Sequence, residues 1–239
     1  MRKLVIIPTY NEKENISAMI DKVFSLSEAF DLLVIDDGSP DGTAKIVKER
    51  QKDYPQNLHI IERSGKLGLG TAYLTGFRWA LEQGYDCVCE MDCDFSHDPD
   101  DLPRLAAAIA EGNDVAIGSR YVKGVNVVNW PMKRLLMSYF ASKYVRIMTG
   151  MPLHDATAGF VCYSRHALET INLDNVQMKG YGFQIEMKYS AWRLGLKLKE
   201  VSIIFTERTQ GASKMSGGIF GEALFGVMKL RFRSIKPAK

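Results

Sequence analysis

Short apolar runs alternate with helical patterns along the first half of the chain. Runs typical of β-strands occupy residues 4–7, 32–35, 59–61, 87–91 and 115–117. Between them, apolar residues recur at the spacing of one helix face, as in Ile16, Met19, Ile20, Val23 and Phe24. This alternation predicts an α/β fold with a mostly parallel central sheet and helices on both faces.

The alternation ends near residue 122, where longer amphipathic patterns begin. Helical periodicity covers residues 130–149, 184–194 and 219–232, and strand patterns cover 159–163 and 198–205. No internal repeat, low-complexity stretch or long linker divides the chain. The sequence therefore predicts a single domain over residues 1–215, followed by an amphipathic basic segment at 216–239.

The charge of the chain is small but unevenly distributed. A net charge of +3 over 239 residues does not indicate nucleic acid as a partner. Residues 229–239, however, carry five cations and no acid, which suits an anionic membrane surface. No apolar segment approaches the roughly 20 residues of a transmembrane helix. We therefore expect peripheral membrane contact through residues 130–149 and 219–232, with packing of these helices against the sheet as the alternative.

The four cysteines invite comparison with a metal cluster. Cys87, Cys89 and Cys93 lie close together, and Cys162 stands apart. Their spacing lacks the paired C-x2-C of a zinc site. Because Cys87 and Cys89 fall in an apolar run, we interpret the cysteines as packing residues of a protein in a reducing, cytosolic compartment.

Polar residues follow four of the predicted strands. They occupy positions 8–12, 36–43, 92–94 and 118–120. Any one of these segments is typical of a turn that precedes a helix cap. The carboxyl ends of parallel strands meet at one edge of a sheet, however, and ligands bind there. Together the four segments predict a ligand site at this edge.

Two carboxylates, Asp92 and Asp94, are the strongest signal in that set. They leave a buried strand one residue apart, which concentrates negative charge. A hard divalent cation with oxygen ligands neutralises such a pair and keeps positions open for phosphate oxygens. The alternative, a local role at a helix N-terminus, fits residues 98–101 better. We therefore interpret Asp92 and Asp94 as ligands of a metal and a diphosphate.

Other motifs carry weaker signals. Arg208 and Lys214 flank a loop with Gly and Ser that could close over a diphosphate. The pair Gly68 and Gly70 lacks the third glycine of a dinucleotide-binding loop, since Tyr73 stands at that position. The histidines show no ligand spacing and are interpreted as packing or surface residues: His59, His97, His154 and His166.

Taken in order, these motifs resemble those of the inverting family-2 glycosyltransferases. Segments 8–12, 36–43 and 92–94 resemble the nucleotide-sugar-binding fold of that family, the GT-A type. Segments 155–160, 179–186 and 208–214 resemble more specifically the dolichol- and polyprenol-phosphate mannosyltransferases. The resemblance covers nearly the whole chain. It implies a nucleotide-sugar-binding part at 1–121 and an acceptor part at 122–215.

The resemblance also implies a reaction and a set of residues. Mannose would pass from GDP-mannose to a polyprenyl phosphate, with inversion, at the cytoplasmic face of a membrane. The nucleoside would contact Pro8, Tyr10, Glu12, Ile35 and Asp37. Asp92 and Asp94 would bind Mg²⁺ or Mn²⁺ and the donor, and Cys93 and Ser96 would line the donor site. Phosphates would contact Arg120, Lys179, Arg208 and Lys214, and the catalytic set would be Asp92, Asp94, Arg208 and Lys214.

Three alternatives remain open from the sequence. The same fold could use a UDP-sugar such as UDP-glucose, or could bind a nucleotide sugar without catalysis. A nucleotidyltransferase also uses paired carboxylates and a metal, but it would usually carry a glycine-rich basic loop after the first strand. Membrane attachment is expected to use the amphipathic segments or a small membrane-anchoring subunit.

Overall fold

The computed structural model describes residues 1–178, 180–207 and 218–238, without the side chains of Tyr181 and of residues 218–224. The strands are β1 (Lys3–Thr9), β2 (Asp31–Asp36), β3 (Leu58–Glu62), β4 (Cys87–Glu90), β5 (Val115–Ser119), β6 (Val127–Val128), β7 (Val161–Ser164), β8 (Leu198–Ser202) and β9 (Phe205–Thr206). The helices are α1 (Ile16–Phe24), α2 (Thr43–Arg50), α3 (Leu69–Glu82), α4 (Leu102–Ala110), α5 (Met132–Thr149), α6 (Arg165–Thr170), α7 (Tyr181–Arg193) and α8 (Gly218–Phe232).

Seven strands form the central sheet, in the order β3-β2-β1-β4-β7-β5-β8. All neighbours are parallel except β7, which runs antiparallel to both β4 and β5. The prediction of a mostly parallel sheet is confirmed. Because β4 and β5 therefore run in the same direction, the carboxyl ends of β1, β2, β4 and β5 meet at one edge, as the polar segments require.

Two differences from the predicted strands affect that edge. Strand β7 lies between β4 and β5, a pairing that its own residues do not reveal. The pattern at 198–205 divides into β8, which joins the main sheet, and β9, which pairs with β6 in a separate two-stranded sheet. This small sheet lies beside the ligand edge, because His97 forms an isolated bridge with Phe205.

Apolar side chains cover both faces of the sheet. One buried cluster joins the sheet to α3 and α7 through residues such as Phe77 and Phe183. A second joins the other face to α1 and α4 through Met19 and Leu105. The helix spacing predicted from Ile16 to Phe24 agrees with α1, which buries Ile16, Met19, Ile20 and Val23 on one face.

Two glycines of α3 permit close approach of neighbouring elements. A Cβ atom on Gly70 would lie 2.8 Å from the ring of Phe183, and one on Gly76 would lie 2.7 Å from Ile6. Contacts this short do not occur in folded proteins, so α3 can approach α7 and β1 only with glycine at these positions. Gly70 thus serves helix packing, in agreement with the rejection of a dinucleotide-binding loop there.

Helices α5 and α8 differ from the others in what they expose. On α5, the exposed fractions of Met132, Leu136 and Phe140 are 67%, 48% and 57%, although these residues form its predicted apolar face. On α8, Val227 and Leu230 are buried, whereas Phe232 is 85% exposed. Within the described parts of the chain, no helix combines the length and the hydropathy needed to cross a bilayer.

The cysteines require a correction. All four are buried, as packing residues should be, but Cys89 and Cys162 are joined by a disulfide, whereas Cys87 and Cys93 are free thiols. The pair forms because Cys89 on β4 lies directly opposite Cys162 on β7, with 4.0 Å between the Cα atoms. The expectation that all four cysteines are unpaired was therefore wrong, and neither a reducing compartment nor a cytosolic location follows from them.

Candidate active site

The polar segments after β1 and β2 are joined to each other by hydrogen bonds. The carboxylate of Asp36, fully buried, accepts hydrogen bonds from the Thr9 hydroxyl at 2.8 Å and from the amide and hydroxyl of Ser39 at 2.9 and 2.6 Å. The amide of Asn11 donates to the Ser39 hydroxyl at 3.0 Å. These bonds fix the loop after β2 against the loop after β1.

Further acids of the β2 loop are also engaged within the protein. Asp37 pairs with Arg63, whose Nε lies 2.6 Å from Asp37 Oδ1, and both side chains are more than nine-tenths buried. Asp41 accepts hydrogen bonds from the amide and hydroxyl of Thr43 at the start of α2. Burial raises the pKa of Asp41, but these bonds outweigh it and leave that pKa lowered. Asp41 therefore has the local role expected of an acid in a turn before a helix.

The residues proposed for the nucleoside lie along this same edge. Pro8 and Ile35 are paired in register on β1 and β2. Ile35 is fully buried, so its side chain belongs to the core. Tyr10 has the ammonium group of Lys66 over its ring at 5.2 Å, and the amide of Glu12 donates to the Thr43 hydroxyl. The edge therefore offers an aromatic ring and a cation in addition to acids.

A tight turn follows β4 and carries the paired carboxylates. Asp94 is 8% exposed and accepts a hydrogen bond from the amide of Ser96 at 3.0 Å. Between them, Phe95 has a φ of 58°, in the left-handed region that a bulky residue rarely adopts. Cys93 is buried beneath the turn, whereas the Asp92 side chain is 44% exposed. The turn thus directs one carboxylate outward on a strained backbone.

His97 supports this turn from below. Its Nδ1 accepts a hydrogen bond from the Asp92 amide at 3.4 Å, and its ring stacks on Phe160 at 5.0 Å and meets Phe205 edge-on at 5.2 Å. Burial lowers the pKa of His97 to about 4, so the imidazole is neutral at physiological pH. The interpretation as a packing residue holds, with the addition that His97 also lines the pocket described below.

Arg120, after β5, is held by a buried carboxylate. Its Nε and Nη2 lie 2.6 Å from the two oxygens of Asp155, and Nη2 also donates to the Thr157 hydroxyl at 3.0 Å. Asp155 is fully buried. Burial raises the pKa of Asp155, but the adjacent Arg120 guanidinium outweighs it and leaves that pKa lowered. The pair is thus an ionised, bidentate contact that fixes the guanidinium in one orientation.

Aromatic rings gather two arginines at the same place. The guanidinium of Arg120 lies 5.5 Å from the Trp130 ring centroid, and that of Arg134 lies 4.5 Å from the same ring. Phe205 contacts both Arg120 and Trp130. Arg134 also forms an ion pair with Glu207. The Trp130 ring therefore lets two cations approach each other, because each is attracted to its π-system.

These residues surround one pocket of about 500 Å³. Its polar part is lined by Asp92, Ser96, His97, Arg120 and Arg134. Its apolar part lies among α5, α7 and α8 and is lined by residues such as Met137, Phe140, Tyr144, Val145, Ile185 and Val227. The structure thus brings together Asp92, Ser96 and Arg120 from the predicted site.

Three predicted phosphate contacts, Lys179, Arg208 and Lys214, lie outside the described residues. The chain before Arg208 is described, however. On β9, the amide of Thr206 donates to the Ser96 carbonyl at 3.2 Å, and the amide of Glu207 donates to the carbonyl of Val128. Thr206, on β9, therefore lies next to the turn that carries Asp94.

Comparison with known proteins identifies the family. Residues 4–171 match the Glycosyl transferase family 2. The chain belongs to that family. It is 47% identical over 232 residues to polyprenol monophosphomannose synthase of Mycolicibacterium smegmatis, covering 97% of this chain and 88% of that one. It is 48% identical over 229 residues to undecaprenyl-phosphate mannosyltransferase of Micrococcus luteus, covering 96% and 93%.

Solved structures agree on the fold. Glucosyl-3-phosphoglycerate synthase from Mycobacterium tuberculosis, in complex with Mn²⁺, UDP and glucosyl-3-phosphoglycerate, aligns with a TM-score of 0.65 at 20% identity, covering 96% of this chain and 78% of that one. Its complex with phosphoglyceric acid aligns with a TM-score of 0.70, covering 97% and 80%. The fold of this family-2 glycosyltransferase is therefore of the GT-A type, as the resemblance implied.

The acids at the end of β4 suit a divalent cation. Asp92 and Asp94 offer the carboxylate oxygens that Mg²⁺ and Mn²⁺ prefer, beside a pocket large enough for a substrate. The sulfur atoms of Cys87, Cys89 and Cys162 also lie within 4.8 Å of one another, but two of them are joined in the disulfide. Of these two clusters, the carboxylate pair reaches the pocket, through Asp92.

Several pocket residues were not predicted as site residues. Trp130, Arg134 and Phe205 line it together with residues far away in the sequence. Trp130 and Arg134 stand in the predicted amphipathic segment, where they read as part of an interfacial helix. Only the run of aromatic and basic residues from Trp130 to Arg134 could have indicated that this segment also faces the site.

Proposed function

We propose that this family-2 glycosyltransferase moves mannose from GDP-mannose to a polyprenyl phosphate, with inversion, at the cytoplasmic face of a membrane. Its relatives in Mycolicibacterium smegmatis and Micrococcus luteus, a polyprenol monophosphomannose synthase and an undecaprenyl-phosphate mannosyltransferase, support this acceptor class and this sugar. A dolichol-phosphate mannosyltransferase of Pyrococcus furiosus supports it too. This chain is 35% identical to that protein over 236 residues, and the alignment covers 64% of that protein.

The observation that carries the proposal is the two-part character of the pocket. Its polar part combines the Asp92 carboxylate with the guanidinium groups of Arg120 and Arg134, and its remainder is lined by apolar side chains of α5, α7 and α8. A phosphate joined to a long apolar chain matches both parts at once. A water-soluble acceptor would leave the apolar part without a partner.

The donor would lie along the neighbouring strand ends. Pro8, Tyr10, Glu12, Ile35 and Asp37 are proposed for the nucleoside, with Ile35 limited to its backbone because its side chain is buried. Asp92, Cys93, Asp94 and Ser96 are proposed for the diphosphate and its Mg²⁺ or Mn²⁺. Arg120, Lys179, Arg208 and Lys214 are proposed for phosphates; Arg120 lines the pocket, and the other three lie outside the described residues.

The reaction requires little acid–base chemistry. A phosphate monoester is mostly dianionic at neutral pH, because its second pKa is about 6. One of its oxygens attacks the anomeric carbon, the bond from that carbon to the diphosphate breaks, and the electron pair leaves with GDP. A divalent cation bound at the carboxylate pair stabilises that developing charge as a Lewis acid. Attack opposite the leaving group inverts the anomeric carbon.

The protein groups near the site agree with a reaction that needs no strong base. His97 is neutral, but its Nδ1 already accepts the Asp92 amide and its ring is packed between Phe160 and Phe205. The role left for the chain is positional and electrostatic. Arg120 and Arg134 contribute positive charge to the polar part of the pocket.

The exposed faces of α5 and α8 support a membrane location. Exposed apolar residues on these helices include Met132, Leu136, Phe140, Ile147, Phe225 and Phe232. Lys133, Lys143 and Arg146 lie among them on α5. Apolar side chains that stay in water are costly, whereas a bilayer interface accepts both classes of residue. A small membrane-anchoring subunit would be an alternative cover for the same faces.

A transfer assay tests the reaction. The full chain is incubated with Mn²⁺, undecaprenyl phosphate and radiolabelled GDP-mannose, UDP-glucose or UDP-galactose, and the labelled lipid is extracted. We expect label from GDP-mannose and none from the UDP-sugars, with Asp92→Asn as the inactive control. Label from a UDP-sugar alone would replace the proposed donor, and no label from any donor would contradict transfer to this lipid.

A sedimentation assay tests the membrane location. Vesicles of phosphatidylglycerol and phosphatidylcholine are compared with vesicles of phosphatidylcholine alone. We expect binding to the anionic vesicles, and loss of that binding in Leu136→Glu/Phe140→Glu. Deleting α8 is a poor test because Val227 and Leu230 belong to the core. Equal sedimentation of the wild type and the double variant would exclude α5 from the membrane contact.

A further inference from the structure

Three buried polar side chains form a hydrogen-bond network beside the pocket. Glu90 is the last residue of β4, and Gln184 and Lys188 lie one turn apart on α7. Gln184 Nε2 donates to Glu90 Oε2 at 2.8 Å, and Lys188 Nζ lies 3.4 Å from Gln184 Oε1. Lys188 Nζ also donates to the Ala158 carbonyl at 2.6 Å. The amide of Gln184 therefore links the carboxyl group of Glu90 to the amino group of Lys188.

The hydrogen bonds of Glu90, Gln184 and Lys188 connect three parts of the protein that line the pocket. At one end, Glu90 precedes Asp92 by two residues on the same strand. At the other end, Ala158 belongs to the segment whose Asp155 holds Arg120. Gln184 itself lines the pocket, as do Asp92 and Ala158. A shift of Lys188 would therefore displace residues in two walls of the pocket.

A contribution to stability does not explain this buried hydrogen-bond network. Glu90 and Lys188 are both fully buried. A buried polar group commonly contributes nothing to stability compared with an apolar group of the same size, because the cost of its desolvation offsets its hydrogen bonds. Glu90 Oε1, moreover, has no hydrogen-bond partner within the described part of the chain. Such a network fixes the relative orientation of the groups it joins, because hydrogen bonds restrict the angles and distances between them.

We propose that Glu90, Gln184 and Lys188 are positioning residues that hold the Asp92 end of β4 and the Ala158 segment in a fixed arrangement across the pocket. The consequence for catalysis rests on the proposed function, in which the two walls hold the donor and the acceptor. None of the three is required to contact a reacting atom. Their effect is exerted through the Asp92 turn and through the segment that carries Asp155.

The test replaces both ionisable groups and keeps the shape. In Glu90→Gln/Lys188→Met, Gln184 keeps an acceptor, but the Ala158 carbonyl loses its donor. We expect amide hydrogen exchange to rise about tenfold or more in residues 91–97 and 155–160, while β1 and β2 keep wild-type protection. We expect kcat to fall about 100-fold with a smaller change in KM for GDP-mannose, because geometry is lost and not a contact. A merely structural role would instead raise exchange throughout the sheet.

Met187→Leu is the matched control, since Met187 is buried on the same helix and the change conserves volume. It should leave exchange and kcat unchanged. If the double variant does not fold, Gln184→Met, which removes only the bridging amide, is measured in the same way.

Wild-type exchange at both segments in a folded variant would overturn the proposal. Faster exchange with unchanged kcat would overturn its role in transfer. If the wild type transferred no sugar, the proposed function would fail, and the exchange data would still decide whether these residues hold the two walls.

Discussion

The strand ends of β2 and β4 both carry clustered acids, yet they use them differently. After β2, Asp36 accepts hydrogen bonds from Thr9 and Ser39, and Asp37 pairs with Arg63, so these carboxylates are buried within the protein's own loop. After β4, the Asp92 side chain is 44% exposed and lines the pocket. The same residue type therefore builds the edge at one strand and faces the ligand site at the next.

The contrast shows what decides the role of an acid at a strand end. At β2, hydroxyl, amide and guanidinium donors reach the carboxylates from neighbouring loops, which satisfies them at low solvent exposure. At β4, a left-handed Phe95 turns the chain sharply after Asp94 and leaves Asp92 directed to the pocket. Substitutions at Asp36 should therefore change stability, substitutions at Asp37 should change stability together with the proposed nucleoside contact, and substitutions at β4 should change activity.

The largest effect is expected at β4. We expect Asp92→Asn to lower kcat by about 10³-fold, because the charge that holds a cation and diphosphate is removed. The free energy of unfolding should change by only about 0.5 kcal/mol, since the side chain is partly exposed. Transfer assays and urea unfolding measure the two quantities. Asp94→Ala should abolish transfer as well, and full activity of either variant with Mn²⁺ present would refute the contrast.

The next effect is expected at the ion pair of the β2 edge. Arg63→Met leaves the Asp37 carboxylate buried without its cation, and we expect a loss of about 3 kcal/mol in the free energy of unfolding. The double variant Arg63→Met/Asp37→Leu should recover part of that loss, because no charge remains buried. Urea unfolding of both variants measures the difference. Equal destabilisation by the single and the double variant would show that the pair is not the cause.

A smaller effect is expected at Asp36. In Asp36→Asn, one of the two oxygens that accept hydrogen bonds is replaced by a donor, and we expect a loss of about 1–2 kcal/mol in the free energy of unfolding. The kcat of the folded protein should stay within about threefold of wild type, far from the loss expected at Asp92. A large fall in kcat without a change in stability would place Asp36 with the β4 acids and break the contrast.

Much of the fold could be predicted because local pattern determines it. The spacing of Ile16, Met19, Ile20 and Val23 predicts α1, whose buried residues are these four. The insertion of β7 between β4 and β5 could not be predicted, because a strand's own residues do not specify its neighbours. The Cys89–Cys162 disulfide escaped for the same reason, since it depends on that pairing across 73 residues.

The site divides in the same way between local and distant information. The acids at 92 and 94 and the position of Arg120 follow from strand ends that local pattern predicts. Trp130, Arg134 and Phe205 could not be predicted as pocket residues, because the small β6–β9 sheet brings them to Arg120. The chain from Glu90 to Lys188 depends likewise on α7 crossing behind β4.

The smallest effect concerns the backbone conformation of the turn after β4. Asn11 after β1 and Phe95 after β4 both have a φ of 58°, but only asparagine tolerates that conformation well. Both Phe95→Asn and Phe95→Ala lose the ring, so their difference isolates the backbone. We expect Phe95→Asn to be more stable than Phe95→Ala by about 0.5–1 kcal/mol in urea unfolding. Equal stability would mean that the β4 turn is not strained, and that the exposure of Asp92 has another cause.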